Sequence, residues 1–334
     1  MDRATAEGRW AQEVYGGPDD LTITQVTNGP ATSSLSCEAV VADMLDCLML
    51  EPGHRVLELG TGQGRNSALM AWRTGPGLIT SVEKDAGLAA AAQRSLDAVH
   101  AGVAVRTGDG VTGWPHGTPY DRVISTYAVE DVPWSWIEKT RPGGRIVTPW
   151  GRLGHVALTV AEDGRTATGW MQGLAAFMPS RTATSRRGWA QVRGDQAPDE
   201  EQPFTSDLSP LREPDVLFAV RVALPDVAVI TRPGESGIGV DTWLHDGRTS
   251  WASITAPGGG IPTAYRGGPR HLLDEVQSAI AYWRAQGKPS LWDFGMTVSA
   301  HRQYTWCKSP SNGAYGPPPV REPTWDTTGS VNPR

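Results

Sequence analysis

The sequence predicts an α/β fold built on a doubly wound parallel sheet, followed by a mixed α/β or β-rich part. A short apolar strand at 56–59 runs into a glycine turn and then into a helix, which is the order found at nucleotide-type sites. Strands then alternate with helices through residue 150, as in a parallel sheet covered on both faces. We therefore expect ligands at the carboxyl ends of these strands.

Size and composition favour two domains, which we place at residues 1–150 and 151–334 of a chain with net charge −6. No apolar run approaches the ~20 residues of a membrane span, and residues 1–7 lack a basic-then-apolar signal. Three cysteines suggest no disulfide framework and favour a reducing cytoplasm. The net negative charge argues against a general nucleic-acid binder.

The histidines are scattered without metal-ligand spacing and no Cys-x-x-Cys occurs, so we expect no structural or catalytic metal site. The oligomeric state stays open.

Apolar spacing and turn residues predict each element before residue 150. Residues 5–14 suggest a short helix. Thr32–Ser36 offers N-cap chemistry for a helix over 37–48, where apolar side chains recur at helical spacing. After the glycine turn we expect helices at 65–72, 86–99 and 134–140, and strands at 78–82, 103–107, 120–126 and 145–149.

Beyond residue 150 the pattern becomes richer in strands. A hairpin is predicted from 155–161 and 166–170, turning at Glu162-Asp163-Gly164. An acidic, proline-rich stretch at 195–215 suggests a loop, and 270–286 suggests an amphipathic helix. The remaining expectations are strands at 216–222, 227–231, 240–244 and 250–255, a last strand at 294–298, and a loose tail from 317 to 334.

The glycine turn has the spacing Gly60-x-Gly62-x-Gly64, tighter than the G-x-G-x-x-G of dinucleotide enzymes. Glu58 precedes it and can accept a hydrogen bond from a cationic amino group. Glu83 ends the next strand, where a ribose-binding carboxylate belongs. With Asp109 after the third strand, this set suits S-adenosyl-L-methionine, which carries an ammonium group, better than a pyrophosphate.

Six short pieces of sequence occur together in a fixed order. They are Ser33-Ser34-Leu35-Ser36, Pro52-Gly53-His54-Arg55-Val56-Leu57-Glu58-Leu59-Gly60-Thr61-Gly62, Thr80-Ser81-Val82-Glu83, Gly108-Asp109-Gly110, Pro119-Tyr120-Asp121-Arg122 and Arg141-Pro142-Gly143-Gly144-Arg145. Through these pieces, residues 25–150 resemble the protein-L-isoaspartate (D-aspartate) O-methyltransferase family. The second half, with the run 138–150, resembles the branch of that family that acts beside ATP-grasp ligases on ribosomally made peptides, the graspetides.

The resemblance implies a class I methyltransferase fold that uses S-adenosyl-L-methionine and releases S-adenosyl-L-homocysteine. It places Ser36 on the active-site serine, Glu83 on the ribose carboxylate and Asp109 on the adenine-side acid. Two departures are Cys37-Glu38, where the family usually has Gln-Pro, and Lys139, where the branch often has Gln. The expected cofactor-binding residues are Glu58, Gly60, Thr61, Gly62, Gly64, Asn66, Glu83, Lys84, Asp109 and Gly110.

The implied reaction methylates an aspartate side chain of a modified precursor peptide, and the ester then closes to an aspartimide that can open to isoaspartate. A carboxylate is already ionised at neutral pH, so no strong general base is needed. Ser36 would orient the substrate, cap the following helix, or do both. The alternatives are an isoaspartate repair enzyme with an accessory domain and a catalytically weak cofactor-binding adaptor. A nicotinamide dehydrogenase is disfavoured by the glycine spacing.

Two further sets have both structural and functional interpretations. Arginines at 181, 186, 187 and 193 either dock an acidic peptide or lie in a solvated loop. Trp134 and Trp136 follow the fourth strand and either belong to the core or line the substrate cleft.

Overall fold

The computed structural model describes residues 17–27, 31–151, 153–181, 187–195, 197–233, 240–255 and 261–317. Its strands are β1 (Thr22–Val26), β2 (Ala31–Leu35), β3 (Val56–Leu59), β4 (Ile79–Glu83), β5 (Ala104–Thr107), β6 (Tyr120–Ser125), β7 (Thr140–Trp150), β8 (Gly154–Val160), β9 (Thr166–Leu174), β10 (Glu200–Pro203), β11 (Ala228–Pro233), β12 (Val240–His245), β13 (Trp251–Thr255), β14 (Thr263–Gly267), β15 (Phe294–Ser299) and β16 (Gln303–Cys307). Its α-helices are α1 (Glu38–Leu48), α2 (Arg65–Thr74), α3 (Ala86–Ala98), α4 (Trp134–Glu138), α5 (Trp189–Arg193), α6 (Pro214–Ala223) and α7 (Leu272–Ala285).

The central sheet has the strand order β16-β15-β9-β8-β7-β6-β3-β4-β5. The strands β7, β6, β3, β4 and β5 are parallel, and the chain order reverses between β3 and β6. Such a reversal leaves a crevice outside the carboxyl ends of the strands, where open α/β sheets bind ligands. The predicted doubly wound α/β fold is confirmed.

The same sheet continues past residue 150. There β7 pairs antiparallel with β8, and β9, β15 and β16 extend that edge. The hairpin predicted around 162–164 is therefore present as β8 and β9. A boundary between folding units at residue 150 remains a prediction, since the sheet itself crosses that point.

A second, antiparallel sheet has the order β10-β14-β13-β12-β11 and makes the second half β-rich, as predicted. Helix α7 matches the predicted amphipathic helix, because Leu272, Val276, Ile280 and Trp283 are buried along one face. It packs against α6 and against the second sheet.

The predicted strand at 216–222 is wrong, because these residues form helix α6. Pro214 begins the helix, a position where its missing N–H costs nothing. Phe218 then packs edge-on against Trp150 and Phe294 of the main sheet. A helix buried on several sides shows an almost continuous apolar run, and periodicity cannot distinguish such a run from a buried strand.

Three other expectations also need correction. The stretch at 195–215 contains β10, the 3-10 turn Ser209–Arg212 and the start of α6, so it is not simply a loop. The strand at 294–298 is not the last, because β16 follows it. Thr32–Ser36 mostly belongs to β2, and Cys37 stands at the N-cap of α1 without a side-chain cap. The predicted helix at 5–14 and the tail beyond Pro317 lie outside the described residues.

Candidate active site

A cavity of about 500 Å³ lies at the carboxyl ends of β3, β4 and β6, at the reversal of strand order. The structure brings nine of the eleven predicted site residues to its wall. They are Ser36, Gly60, Thr61, Gly62, Asn66, Glu83, Lys84, Asp109 and Gly110. The other two, Glu58 and Gly64, lie behind or beside this wall.

The glycine turn and Glu83 form one unit. Gly60 and Gly62 have positive φ angles of 97° and 52°, which glycine adopts without strain. The backbone N–H of Gly62 donates to Glu83 Oε2 at 3.0 Å, and that of Asp85 donates to Oε1 at 3.0 Å. Backbone donors thus fix the Glu83 carboxylate at the end of β4, facing the cavity.

Asp109, Gly110 and Tyr127 form another part of the cavity wall. Asp109 Oδ1 accepts from the Val111 N–H at 3.0 Å, and its Oδ2 lies 3.4 Å from Lys84 Nζ. A Cβ at position 110 would approach the Tyr127 hydroxyl to 2.4 Å, so only glycine fits there. Burial raises the pKa of Tyr127, and its buried hydroxyl has no hydrogen-bond partner among the described residues. The sequence prediction did not include Tyr127.

Glu58 is fully buried and does not line the cavity. Its Oε2 accepts hydrogen bonds from Ser81 Oγ at 2.6 Å and from Ser67 Oγ, which ties β3 to β4 and α2. Burial raises the pKa of Glu58 to about 7, although the two serine hydrogen bonds oppose the shift. Glu58 therefore acts as a support behind the glycine turn in this structure.

A second cavity, of about 740 Å³, adjoins the first and is lined in part by Gly64. A Cβ on Gly64 would lie 3.1 Å from Leu96, so this glycine also permits close packing of α2 on α3. Ser36 and Arg65 line both cavities. Ser36 therefore stands where the two spaces meet.

Cys37 and Glu38, which stand where the family usually has Gln-Pro, occupy different environments. Cys37 lines the main cavity. Glu38 lies in the first turn of α1, where a carboxylate suits the helix dipole, and it pairs with Arg65. The Arg65 guanidinium balances the charge of Glu38.

Two segments that sequence reasoning missed complete the cavity. The β1–β2 hairpin contributes Ile23 and Ser33, and residues 176–181 after β9 contribute a wall from the second half of the chain. Arg181 joins them, because its guanidinium donates to the Thr32 carbonyl at 2.5 Å and to Asp85 Oδ2 at 3.4 Å. In the sequence, the only indication of a role for Arg181 is the run of arginines at 181, 186, 187 and 193.

The other arginines of that run make contacts elsewhere. Arg187 donates to the Arg248 carbonyl at 2.8 Å, and the Arg193 guanidinium lies 4.1 Å from the centroid of the Trp251 ring. Arg186 lies outside the described residues.

The cleft interpretation of the two tryptophans is wrong. Neither Trp134 nor Trp136 lines the cavity, and Trp136 is fully buried. Its Nε1 donates to the Gly110 carbonyl at 2.8 Å, so it supports the cavity wall from behind.

The polar groups of this cavity fit S-adenosyl-L-methionine. Asn66 Oδ1 is a buried acceptor on the cavity wall with no donor among the described residues, and a cationic amino group would satisfy it. Carboxylates at the ends of adjacent parallel strands suit ribose and adenine-side contacts. Gly110 allows the Tyr127 ring to pack closely against the adenine-side wall.

Comparison with known proteins gives consistent matches. A family model described as Protein-L-isoaspartate(D-aspartate) O-methyltransferase (PCMT) matches residues 19–173. The protein-L-isoaspartate O-methyltransferase of Methylorubrum populi is 37% identical over 157 residues, which are 46% of this chain and 73% of that protein. The protein of the same name from Anaeromyxobacter dehalogenans is 44% identical over 120 residues, 35% of this chain and 56% of that protein.

A solved structure named protein-L-isoaspartate O-methyltransferase covers 87% of this chain and 87% of its own, with a TM-score of 0.50 and 20% identity. This likeness concerns the fold alone, and it extends beyond residue 150. No helix among the described residues has both the length and the apolar character needed to cross a membrane. On the sequence matches, this chain belongs to the protein-L-isoaspartate O-methyltransferase family and is an S-adenosyl-L-methionine-dependent methyltransferase.

Proposed function

We propose that the chain methylates the free carboxylate of an isoaspartyl residue in a peptide or protein. The observation that supports this most is the position of Ser36, on a cavity that also carries Glu83 and Asp109 at the strand ends. One continuous space therefore offers a cofactor side and a substrate side. The second cavity, which shares Ser36 and Arg65, gives room for the peptide on either side of the reacting residue.

The chemistry requires alignment more than acid–base catalysis. The bound cofactor supplies a methyl group on a positively charged sulfonium. A carboxylate oxygen of the substrate would form the new O–CH3 bond as the S–CH3 bond breaks, and the electron pair of that bond would stay on sulfur. No proton moves, since a carboxylate is ionised at neutral pH. Ser36 would donate a hydrogen bond that orients the substrate, and alignment of this kind can supply up to ~7–11 kcal/mol.

The β1–β2 hairpin also contributes to this proposal. It covers the cavity and is held by Arg181, so it would exclude water from the reacting carboxylate. Weaker solvation makes a carboxylate a better nucleophile. Arg65 and Glu38 compensate each other at the rim, so an anionic substrate meets no net negative charge from this pair.

A second candidate is methylation of an ordinary aspartate in a ribosomally made, graspetide-type peptide, followed by closure to an aspartimide. The replacement of Gln-Pro by Cys37-Glu38 beside Ser36 favours it, because this change alters the wall that would contact the substrate. The second half of the chain does not separate the two candidates, since a protein named as an isoaspartate methyltransferase shares the fold over most of its length. The isoaspartyl substrate therefore comes first.

Mass spectrometry of the full chain with S-adenosyl-L-methionine would test both candidates. The substrates are an isoaspartyl peptide, the same peptide with ordinary aspartate, and a ligase-cyclised acidic peptide. Gain of one methyl group on the isoaspartyl peptide alone is the expected result. Methylation of the cyclised peptide alone, followed by loss of methanol, would replace this proposal with the second candidate.

A third result would point to an adaptor. If none of the peptides gains a methyl group while calorimetry still detects S-adenosyl-L-homocysteine binding, the chain binds the cofactor without turnover. The aspartyl peptide is the matched control, because it differs from the isoaspartyl peptide only in the carbon that carries the free carboxylate.

A further inference from the structure

Three potential metal ligands converge where α1 packs against β8. Asp43 and Cys47 lie one helical turn apart on α1, and His155 lies on the adjacent strand β8. Their donor atoms all lie within 4.8 Å of one another. His155 is more than a hundred positions from Asp43 and Cys47 in sequence, so a search for ligand spacing, which predicts no metal site, cannot detect the group.

His155 provides the second observation. Its side chain is fully buried, and neither ring nitrogen makes a hydrogen bond of good geometry among the described residues. Nε2 lies 3.1 Å from Asp43 Oδ2. A buried imidazole that lacks well-formed hydrogen bonds is costly, and such groups in native proteins call for an explanation.

Gly173 on β9 lets two of the three ligands pack closely together. A Cβ on Gly173 would lie 2.8 Å from His155 Cε1 and 3.0 Å from Asp43 Oδ2, so a larger residue there would displace both side chains. Gln172 Oε1 accepts from Cys47 Sγ at 3.5 Å and offers a further oxygen. The Asp43 side chain is 49% exposed, which gives an ion a path from solvent.

We propose that Asp43, Cys47 and His155 bind a divalent transition-metal ion, with Zn²⁺ as the best match. Carboxylate, thiolate and imidazole are the three ligand types that zinc uses in proteins. Ligand bonds of ~2.0–2.2 Å to oxygen and nitrogen put neighbouring atoms of a tetrahedron about 3.3 Å apart, close to the 3.1 Å between Nε2 and Oδ2. The two anionic ligands balance the charge of the ion. Water or Gln172 would take the fourth position.

Such an ion would act on the wall of the active site. Val40, Val41 and Met44 of α1 face the cavity, and Ser36 lies two residues before the helix begins. An ion that joins Asp43 and Cys47 to β8 would fix α1 against the central sheet. It would therefore hold the segment that carries Ser36 in place without contacting the substrate.

Titration of the reduced, chelator-treated full chain with Zn²⁺ alone, in competition with a chromophoric chelator, tests this site. We expect one equivalent to bind with a submicromolar Kd. Asp43→Asn should weaken binding at least tenfold, and Cys47→Ser or His155→Asn at least 100-fold. Asp46→Asn, also an exposed aspartate of α1, and Cys37→Ser should change the Kd less than twofold.

Cobalt substitution gives a readout that does not depend on affinity. The Co²⁺ form should show a thiolate-to-metal absorption band that disappears in Cys47→Ser and persists in Cys37→Ser. Asp43 is half exposed, so Asp43→Asn is expected to fold even if the two buried variants do not. Failure of the native chain to bind one equivalent, or equal Zn²⁺ affinity of the native chain and Asp43→Asn, would overturn the proposal.

Discussion

The Gly62 N–H donates to Glu83 Oε2 at 3.0 Å and thereby joins the glycine turn after β3 to the end of β4. The two residues are separated by one helix in sequence, yet they form a single structural unit. The carboxylate that faces the cavity also holds the turn in place. Cofactor binding and the geometry of the turn should therefore change together.

The first prediction concerns Glu83. Glu83→Ala should raise the Kd for S-adenosyl-L-homocysteine about 10–100-fold, because hydrogen bonds to a charged group contribute ~1.5–3 kcal/mol. Isothermal titration calorimetry measures the change. Glu51→Ala, which removes a surface carboxylate paired with Arg73, is the control and should leave the Kd unchanged. Equal affinities of the two variants would contradict this role for Glu83.

A substitution at Tyr127 should compensate for the loss of stability caused by a substitution at Gly110. Gly110→Ala should lower the melting temperature and weaken cofactor binding, because its Cβ would approach the Tyr127 hydroxyl to 2.4 Å. Overpacking of this kind costs about 1–3 kcal/mol. Adding Tyr127→Phe removes the clashing oxygen and should restore part of the loss. A double-mutant cycle measures the coupling, and strictly additive effects would show that the contact does not limit position 110.

The raised pKa of Glu58 predicts that the free energy of unfolding depends on pH. Burial raises its pKa from 4.5 to about 7, so between these values the folded state binds more protons than the unfolded state. The contribution of Glu58 to stability is then fully present below about pH 4.5 and is lost as the pH rises through about 7. Across this pH range the free energy of unfolding falls by up to roughly 3 kcal/mol.

Glu58→Gln should remove this dependence while keeping an acceptor for Ser67 and Ser81. Urea denaturation between pH 5 and pH 8 should show the variant gaining stability relative to the native chain as the pH rises. Glu51→Gln is the matched control at an exposed site. A constant difference between Glu58→Gln and the native chain across this range would mean that Glu58 titrates normally.

The contacts of Arg181 predict that the order of the β1–β2 hairpin affects substrate binding in the cavity. Arg181→Ala should speed amide hydrogen exchange in β1 and β2 and raise the KM for the peptide about 3–10-fold, because Thr32 of the hairpin loses its link through Arg181 to Asp85. Global stability should change by less than ~1 kcal/mol, since these groups are partly exposed. Arg187→Ala, whose contacts lie elsewhere, should change neither quantity.

Ser36 is predicted to act on the substrate and not on the cofactor. Ser36→Ala should lower kcat/KM for the methyl acceptor at least tenfold, as expected for loss of a hydrogen bond to a carboxylate. The Kd for the cofactor should stay within twofold. Ser34→Ala, which removes another hydroxyl of the same cavity wall, should have a much smaller effect. Equal losses in both variants would indicate a general change of the wall.

Local patterns were sufficient for the parallel sheet and the cofactor side of the cavity. The strand, glycine turn and helix around Gly60 are contiguous in sequence, and Glu83 and Asp109 follow the next two strands directly. Because parallel strands all end at one edge, the position of each residue in sequence predicts its place in the site. Eight of the nine predicted residues that line the cavity end or follow these strands, and the ninth, Ser36, follows β2 of the separate hairpin.

The rest depends on contacts between distant parts of the chain. Helix α6 was predicted as a strand because it is surrounded by apolar neighbours, and burial on several sides removes the helical period. Tyr127 and the Asp43–Cys47–His155 group are functional candidates only because the fold brings separate segments together, and the contacts of Arg181 with the hairpin arise in the same way. The sequence by itself thus determined the sheet and the cofactor turn, whose signals are local. Only the tertiary structure decided what covers the cavity and what lies behind it, because side-chain packing has no fixed spacing in sequence.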